Sequence, residues 1–464
     1  MTDRFKTLFE DKKVAILGFG REGRSTYNLI RKILPFKALT IIDGNESIRN
    51  DNALLIDLNT FFITGKDCMQ SIINFDIAVK SPGIPSNSFP SDLQSVYLTS
   101  QTDLFLKFYG HQSIGITGTK GKSTTSSLVY HILNNSGRNA ILVGNIGIPP
   151  FDCIDKILPD TVVVMELSSH QLEYVAHSPH IAVLLNIFQE HLDHYHSYND
   201  YQLAKLNINK YQKEDDIFIF NNDNDTLRLA LESTPRVKSK SFAFSLNKVF
   251  NSRIGIHDEW IELHSDAGTI RLFDTRLEQS LKGNHNLYNI MAAAAACYFS
   301  GVPSEIISSG IQSFKGLDHR IEYIGNYNGI IWYNDSIATI PEATIEAVKT
   351  LHIVDTLILG GFDRGIDYDI LYPFLDQAGI SNLIFVGKAG NRIMQEYSKN
   401  STKSMKMFTA EDYNQVVSLA ADVTQKGRIC LLSPAAASYD MFGNFEERGN
   451  IFKKNVRSLD SSHF

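Results

Sequence analysis

Residues 115–125 read GITGTKGKSTT, and the reading of this stretch decides the fold. The residues leading into it predict a short strand, and SSLVYHIL after it keeps helical spacing, so the glycines occupy a strand-to-helix turn. In such a turn the backbone N–H groups and the positive end of the following helix cradle phosphate oxygens. Lys122 then reaches the terminal phosphates and the Ser123 hydroxyl ligates Mg2+. The usual pattern places a glycine six residues before the lysine, where this chain has Ile116; Gly118, Gly121, Lys122 and Ser123 form a contracted version. An ordinary glycine-rich turn is the competing reading, and Gly-Lys-Ser-Thr directly after a strand weighs against it. Thr119 and Thr124 complete the expected ATP cradle.

A chain of 464 residues exceeds a single hydrophobic core and implies about three domains. With 43% hydrophobic and 20% charged residues it reads as globular rather than disordered. A net charge of −7 without a Lys/Arg run gives no sign of a nucleic-acid partner. Cys68, Cys153, Cys297 and Cys430 stand singly, without zinc spacing, as reduced thiols do. The start, MTDRFKTLFEDKK, lacks the apolar core of a signal peptide. The longest apolar run, near residues 291–299, falls short of the ~20 residues needed to span a bilayer. A cytoplasmic protein without a membrane partner is the expectation.

Residues 13–17 predict a strand that runs into GFGREG (Gly18, Phe19, Gly20, Arg21, Glu22, Gly23) and then a helix to residue 33; a second strand ends in Asp43. GxGxxG between strand and helix, with an acid at the tip of the next strand, is a dinucleotide-binding fingerprint, so a dehydrogenase is the first reading. The same turn would hold any pyrophosphate. A strand over 76–80 then empties into Ser81, Pro82 and Gly83, at the edge where open α/β sheets bind ligands. The helical DLFLKFYG leads into a fresh strand, which puts a boundary near residue 103.

Beyond the phosphate loop, GNIG (with Asn145) forms another turn able to approach a ligand. A buried-type strand over 161–165 ends in Glu166, where an NTPase places a Mg2+ ligand; a helix-capping role is the alternative. The strand 181–186 empties into FQEHLDHYH, whose His191, Asp193, His194 and His196 read either as metal ligands or as a solvated loop. Mg2+ would recruit at most one of them. Lys205 on the next helix reads as a surface residue. Residues 241–273 alternate like antiparallel strands, and an alanine-rich helix is expected over 290–299 behind the polar GNHNLYN. Past residue 314, four strand-like runs alternate with helices, as a parallel α/β sheet requires.

In order along nearly the whole chain, GFGREG, SPGIP, TGTKGKST, GNIG, ELSSHQLE, EHLDH, AKL, GNHNLYN, DHR, NDSIAT and SPAAASYDMFGNFEERG resemble the motifs of the Mur ligases, ATP-dependent amide-forming enzymes of peptidoglycan precursor synthesis. The resemblance implies three α/β domains: a Rossmann-like domain over 1–103 for the UDP substrate, a central phosphate-loop ATPase domain with a mixed sheet over 104–315, and a Rossmann-like domain over 316–464 for the amino acid. It replaces NAD with a UDP-sugar on Gly18 to Gly23, Asp43 and Ser81 to Gly83, and adds Asn145, Ser168 and Gln171 as contacts to the sugar and its peptide arm. It implies ATP on Lys122, Asn289, Arg320 and Asp335, one Mg2+ on Ser123 and Glu166, and a second on His191. Lys205 matches the family's carbamylated lysine, an anion able to support that second metal. Thr339, Arg364, Ser438 and Phe445 match glutamate-binding positions. The implied reaction joins glutamate to UDP-N-acetylmuramoyl-L-alanine through an acyl phosphate, on a monomeric enzyme. D-Glutamate is the expected acceptor. Ile337, where the family has lysine, and Arg364, which replaces another lysine, leave L-glutamate as the alternative.

Overall fold

The computed structural model describes residues 3–51, 54, 56–85, 88–190, 194–247, 252–266, 268–281, 283–400 and 405–459. The first sheet holds β1 (Val14–Leu17), β2 (Leu39–Asp43), β3 (Thr60–Thr64), β4 (Ile77–Lys80) and β5 (Tyr97–Ser100). All five are parallel, in the order β3-β2-β1-β4-β5. β1 and β4 are buried at every position, as short apolar strands covered on both faces must be. The order reverses between β1 and β4, so the loops leaving these two strands diverge and open a crevice. Gly23, at the start of helix Arg21–Ile33, is required there: a Cβ would stand 2.0 Å from the Gly18 carbonyl oxygen.

The second sheet holds β6 (Ser113–Thr117), β7 (Ala140–Gly144), β8 (Val162–Glu166), β9 (Ile181–Leu184), β10 (Ile217–Asn221), β11 (Lys240–Phe244), β12 (Ile254–His257), β13 (Trp260–Ser265) and β14 (Gly268–Asp274). Their order is β14-β13-β12-β11-β10-β9-β6-β8-β7. The sheet is mixed, but its antiparallel part is smaller than the alternation suggests. β11 pairs parallel with β10 and β12, and only β12-β13-β14 form antiparallel ladders. A strand toward the margin of a parallel sheet has one wetter face, and so alternates as an antiparallel strand does.

The alanine-rich helix runs from Asn284 to Phe299, so the polar residues in front of it are its first turns rather than a loop. Ala292 to Ala296 are fully buried, and this lets the helix lie close against helix Lys122–Asn135.

The described chain divides into two compact units, Met1–Phe314 and Lys315–Phe464. The first two sheets share one unit. The boundary expected at residue 103 falls inside helix Gln101–Tyr109, which is tied to both: the Gln101 amide donates to the Glu22 carbonyl, while Asp103 accepts from the Ala176 N–H at 2.7 Å. The change of sheet there is a packed seam, not a linker.

The second unit is built on β15 (Glu322–Tyr327), β16 (Ile330–Asn334), β17 (Val354–Gly360), β18 (Asn382–Val386), β19 (Lys406–Ala410) and β20 (Ile429–Leu432), ordered β15-β16-β20-β17-β18-β19. Only β15 is antiparallel to its neighbour. The four runs expected from sequence are the inner strands; β15 and β19 are the edges, where few positions are buried and the apolar signal is weak. Trp332 on β16 is fully buried and packs against Phe452. Trp332→Ala should lower the unfolding free energy of this unit by about 3–5 kcal/mol, seen as an earlier chemical-denaturation midpoint.

Candidate functional site

The loop after β6 is shaped by its glycines. Gly118 and Gly121 have φ of 157° and 87°, and a Cβ on Gly121 would stand 2.4 Å from the Asn289 side-chain oxygen. Gly121 caps helix Lys122–Asn135 without a side-chain hydrogen bond, so the first N–H groups of that helix are left for an anion. Lys122 Nζ donates to the carbonyls of Gly118 (2.9 Å) and Thr119 (3.0 Å). Asn289 accepts from the Thr125 hydroxyl and donates to Asn286, so it props the loop from beneath. The Thr119 hydroxyl lies 2.8 Å from Tyr201 and donates toward the Phe188 carbonyl, which draws the loop onto the segment after β9.

Lys205 is not a surface residue. It is 2% exposed on helix Tyr198–Lys210, and its Nζ donates to the Gly118 carbonyl at 2.9 Å, the oxygen that Lys122 also uses. Burial, and then the neighbouring Lys122 charge, hold its pKa well below that of an ordinary lysine. Periodicity gave no sign of this, because a lysine on a moderately polar helix carries no signal about the carbonyl above it. Only the family resemblance singled it out.

Glu166, at the tip of β8, is fully buried. One carboxylate oxygen accepts from Asn145 Nδ2 at 2.8 Å; the other has no hydrogen-bond partner among the described residues. A buried acceptor left open in this way fits a hard cation, since an unpartnered carboxylate oxygen is costly to bury. His191 and Asp193 lie outside the described residues. His194 packs edge-on against His170, with its Nε2 3.5 Å from Glu173. Among the described residues no group of three or more His, Cys, Asp or Glu could hold a metal ion.

A second crevice, of about 400 Å³, opens at the switch point of the first sheet. It is lined by Gly18, Phe19, Gly20, Arg21, Asp43, Ser81, Pro82 and Gly83 from that sheet and by Asn145, Ser168 and Gln171 from the second. These are all the residues expected to hold the UDP substrate except Gly23, which works by letting the backbone close. Asp43 accepts from the Phe19 N–H at 2.8 Å, so it organises the turn. Ser168 and Gln171 form a reciprocal capping box at the start of helix Ser169–Leu172. Arg21 donates to the Gly147 carbonyl and Ser25 to Asp152, which bind the two sheets together beside the crevice. Glu22, Ile84 and Gly144 also line the crevice; the sequence reading spanned Glu22 and Gly144 within GFGREG and GNIG without giving either a role of its own, and assigned no contact to Ile84. Glu22 sits inside the GxGxxG spacing, where the intervening positions carry no signature.

In the second unit, Asp335 is 3% exposed at the end of β16; burial outweighs the hydrogen bonds from Ser433 and Ile321, and its pKa is pushed up to about 7. Arg320 is exposed. Arg364 donates to the Thr339 carbonyl at 3.3 Å, and Ser336 donates to the Phe445 carbonyl at 2.8 Å. Arg448, 1% exposed, ties these loops together through Ser336 and the carbonyls of Ala436 and Ala437, two residues before Ser438. Thr339, Arg364 and Ser438 thus stand on the segments that follow β16, β17 and β20, and Phe445 begins helix Phe445–Arg457. No helix of the described residues is long and apolar enough to cross a membrane.

A contracted phosphate loop, an open buried carboxylate beside it and a separate crevice at a Rossmann-type switch point define a nucleotide-using α/β enzyme. Residues 116–297 match the Mur ligase middle domain. Over 456 residues the chain is 32% identical to the UDP-N-acetylmuramoylalanine--D-glutamate ligase of Thermoanaerobacter sp. (strain X514), covering 97% of this chain and 98% of that relative. It is 34% identical over 453 residues to the enzyme of the same name from Geobacter sp. (strain M21), with 97% and 98% covered. In fold it is similar to the MurF ligase of Thermotoga maritima, whose crystal structure is in complex with ADP, with a TM-score of 0.52 at 18% identity over 91% of this chain and 96% of that one. The chain belongs to the Mur ligase family, a family of ATP-dependent ligases. That membership removes the dehydrogenase reading of GFGREG.

Substituting Gly121 tests the loop geometry. Gly121→Ala forces a Cβ into Asn289 at positive φ, a strain of about 1–3 kcal/mol. The KM for ATP should rise roughly tenfold or more, while binding of a UDP-sugar in the crevice of the first sheet stays as it was.

Proposed function

We propose that the chain joins D-glutamate to UDP-N-acetylmuramoyl-L-alanine with cleavage of ATP to ADP and phosphate, in peptidoglycan precursor synthesis. The observation that carries this is the crevice at the switch point, where the residues expected for a UDP-sugar meet Asn145, Ser168 and Gln171 from the sheet that bears the phosphate loop. The full-length likeness to ligases of that name supports it. On this reading residues 1–103 hold the UDP part, 104–315 the ATP and 316–464 the glutamate, through Thr339, Arg364, Ser438 and Phe445.

The chemistry asks for charge control. A carboxylate is a poor acylating agent, so its oxygen attacks the γ-phosphorus of ATP and ADP leaves. The neutral amine of glutamate then attacks the acyl-phosphate carbonyl, the C–O bond to phosphate breaks, and the amine proton is lost. Both steps gather negative charge. Lys122 would leave the Gly118 and Thr119 carbonyls for the phosphates, and the N-terminal end of helix Lys122–Asn135 would face them. Ser123 and the open oxygen of Glu166 would hold Mg2+, which supplies charge neutralisation at the phosphates. Asn289, Arg320 and Asp335 complete the proposed ATP contacts. His191 is the proposed ligand of a second metal.

Lys205 completes that second metal's surroundings on this reading. A lysine held neutral by burial is a nucleophile toward CO2: the N–C bond forms, a proton leaves, and the side chain becomes a carbamate anion. Protein equilibrated with 13C-bicarbonate should show one carbamate carbonyl resonance, absent in Lys205→Arg. A wild-type spectrum without it would remove this role.

Two departures favour a second reading with L-glutamate. Ile337 is an uncharged, half-buried side chain where the family's loop carries lysine, and Arg364, bonded to the Thr339 carbonyl, stands where a lysine would meet a glutamate carboxylate. A planar guanidinium pairs with a carboxylate at two points and so fixes a different geometry. Phosphate release with ATP, Mg2+ and UDP-N-acetylmuramoyl-L-alanine should depend on added D-glutamate. Release with L-glutamate alone would transfer the assignment to the second reading, and silence with both would sink the glutamate-ligase function.

A further inference from the structure

Two carboxyls line the substrate crevice: Asp43 is spent on the N–H groups of Phe19 and Asn45, whereas Glu22 runs against simple charge logic. It lies in the first turn of helix Arg21–Ile33, at the end of the helix where a diphosphate would sit, and it lines the crevice with Arg21, Ser168 and Gln171. An ionised carboxylate in that place would repel the substrate. Its surroundings argue for a specific task. Oε1 accepts a hydrogen bond from Gln171 Nε2 at 2.6 Å, across 149 residues of sequence and from one sheet to the other. Oε2 is shut off from solvent and has no hydrogen-bond partner among the described residues. Behind it Lys80, 2% exposed on β4, is committed to Glu173 at 3.1 Å and to the Pro82 carbonyl.

We propose that Glu22 is a positioning residue for the UDP-sugar substrate: through Oε1 it fixes the orientation of the Gln171 amide that faces the crevice. The Gln171 side chain has two hydrogen-bonding ends, and both are assigned by the structure. Its carbonyl oxygen accepts from the Ser168 N–H at 2.9 Å, and its amide nitrogen donates to Glu22. A glutamine held at both ends cannot turn over, so the face it presents to the crevice is constant. The charge problem is met by burial, which raises the pKa of Glu22 above that of an ordinary glutamate against the opposing pull of Gln171, Arg21 and Lys80.

This inference rests on the proposed UDP-N-acetylmuramoyl-L-alanine reading and is tested by steady-state kinetics on that substrate. Glu22→Ala should raise its KM roughly tenfold, the worth of one lost hydrogen bond to a buried partner. kcat and the KM for ATP should stay unchanged. Glu22→Gln, neutral and of the same shape, should restore KM to within about twofold of wild type, since its amide oxygen can accept from Gln171 as the carboxyl does. Because Glu22 acts through Gln171, the double variant Glu22→Ala/Gln171→Ala should bind little worse than Gln171→Ala alone. The proposal is overturned if Glu22→Ala leaves the substrate KM unaltered, if it raises the KM for ATP equally, or if the two losses multiply. Should Glu22→Ala not fold, Glu22→Asp, with the carboxyl drawn back by one methylene, must show the same selective rise. A wild-type protein that does not bind UDP-N-acetylmuramoyl-L-alanine at all would instead sink the substrate reading itself.

Discussion

The carbonyl oxygen of Gly118 accepts from two lysines, and the nucleotide-binding half of the molecule depends on that arrangement. Lys122 reaches it from the start of its own helix, and Lys205 reaches it from a helix that begins eighty residues later in the chain. Two full positive charges on one buried carbonyl would repel. Burial resolves the conflict by favouring the neutral form of Lys205, the more deeply enclosed of the two. The loop is therefore held from two sides by lysine donors, one of which burial biases toward its uncharged form.

The same economy of charge runs through the substrate crevice. Few of its polar groups are held by a simple ion pair. Asp43 spends its carboxylate on the N–H groups of Phe19 and Asn45, Glu166 keeps one oxygen for Asn145, and Glu22 is turned toward an amide. Hydrogen bonds to backbone and amide groups fix direction without neutralising a site, and each carboxyl remains able to respond to what binds. The buried Lys80–Glu173 pair is the contrast. Its charges are matched at 3.1 Å and its work is to hold β4 against the second sheet.

The sequence disclosed those parts whose physics is local. GITGTKGKSTT announces a phosphate loop because only glycine takes the positive φ at residues 118 and 121. GFGREG does so because a Cβ at Gly23 would strike the Gly18 carbonyl. The inner strands were readable from unbroken apolar runs. The edge strands β15 and β19 were not, nor was the parallel pairing of β11, because direction and edge position are set by partners far along the chain. Lys205, Glu22 and Arg448 were opaque for the same reason. Each is defined by what lies opposite it: a glycine carbonyl, an amide on the other sheet, or four carbonyl and hydroxyl groups from two loops.

That opacity carries a consequence for the joint between the first two sheets. Among the contacts that cross it, Arg21 to Gly147 and Gln171 to Glu22 end on residues that line the substrate crevice, so the seam and the crevice share side chains. A hinge at residue 103 would have to break a buried helix with its cap, Ser100, bonded to the Asp103 N–H. The crevice and the phosphate loop therefore belong to a single packed unit.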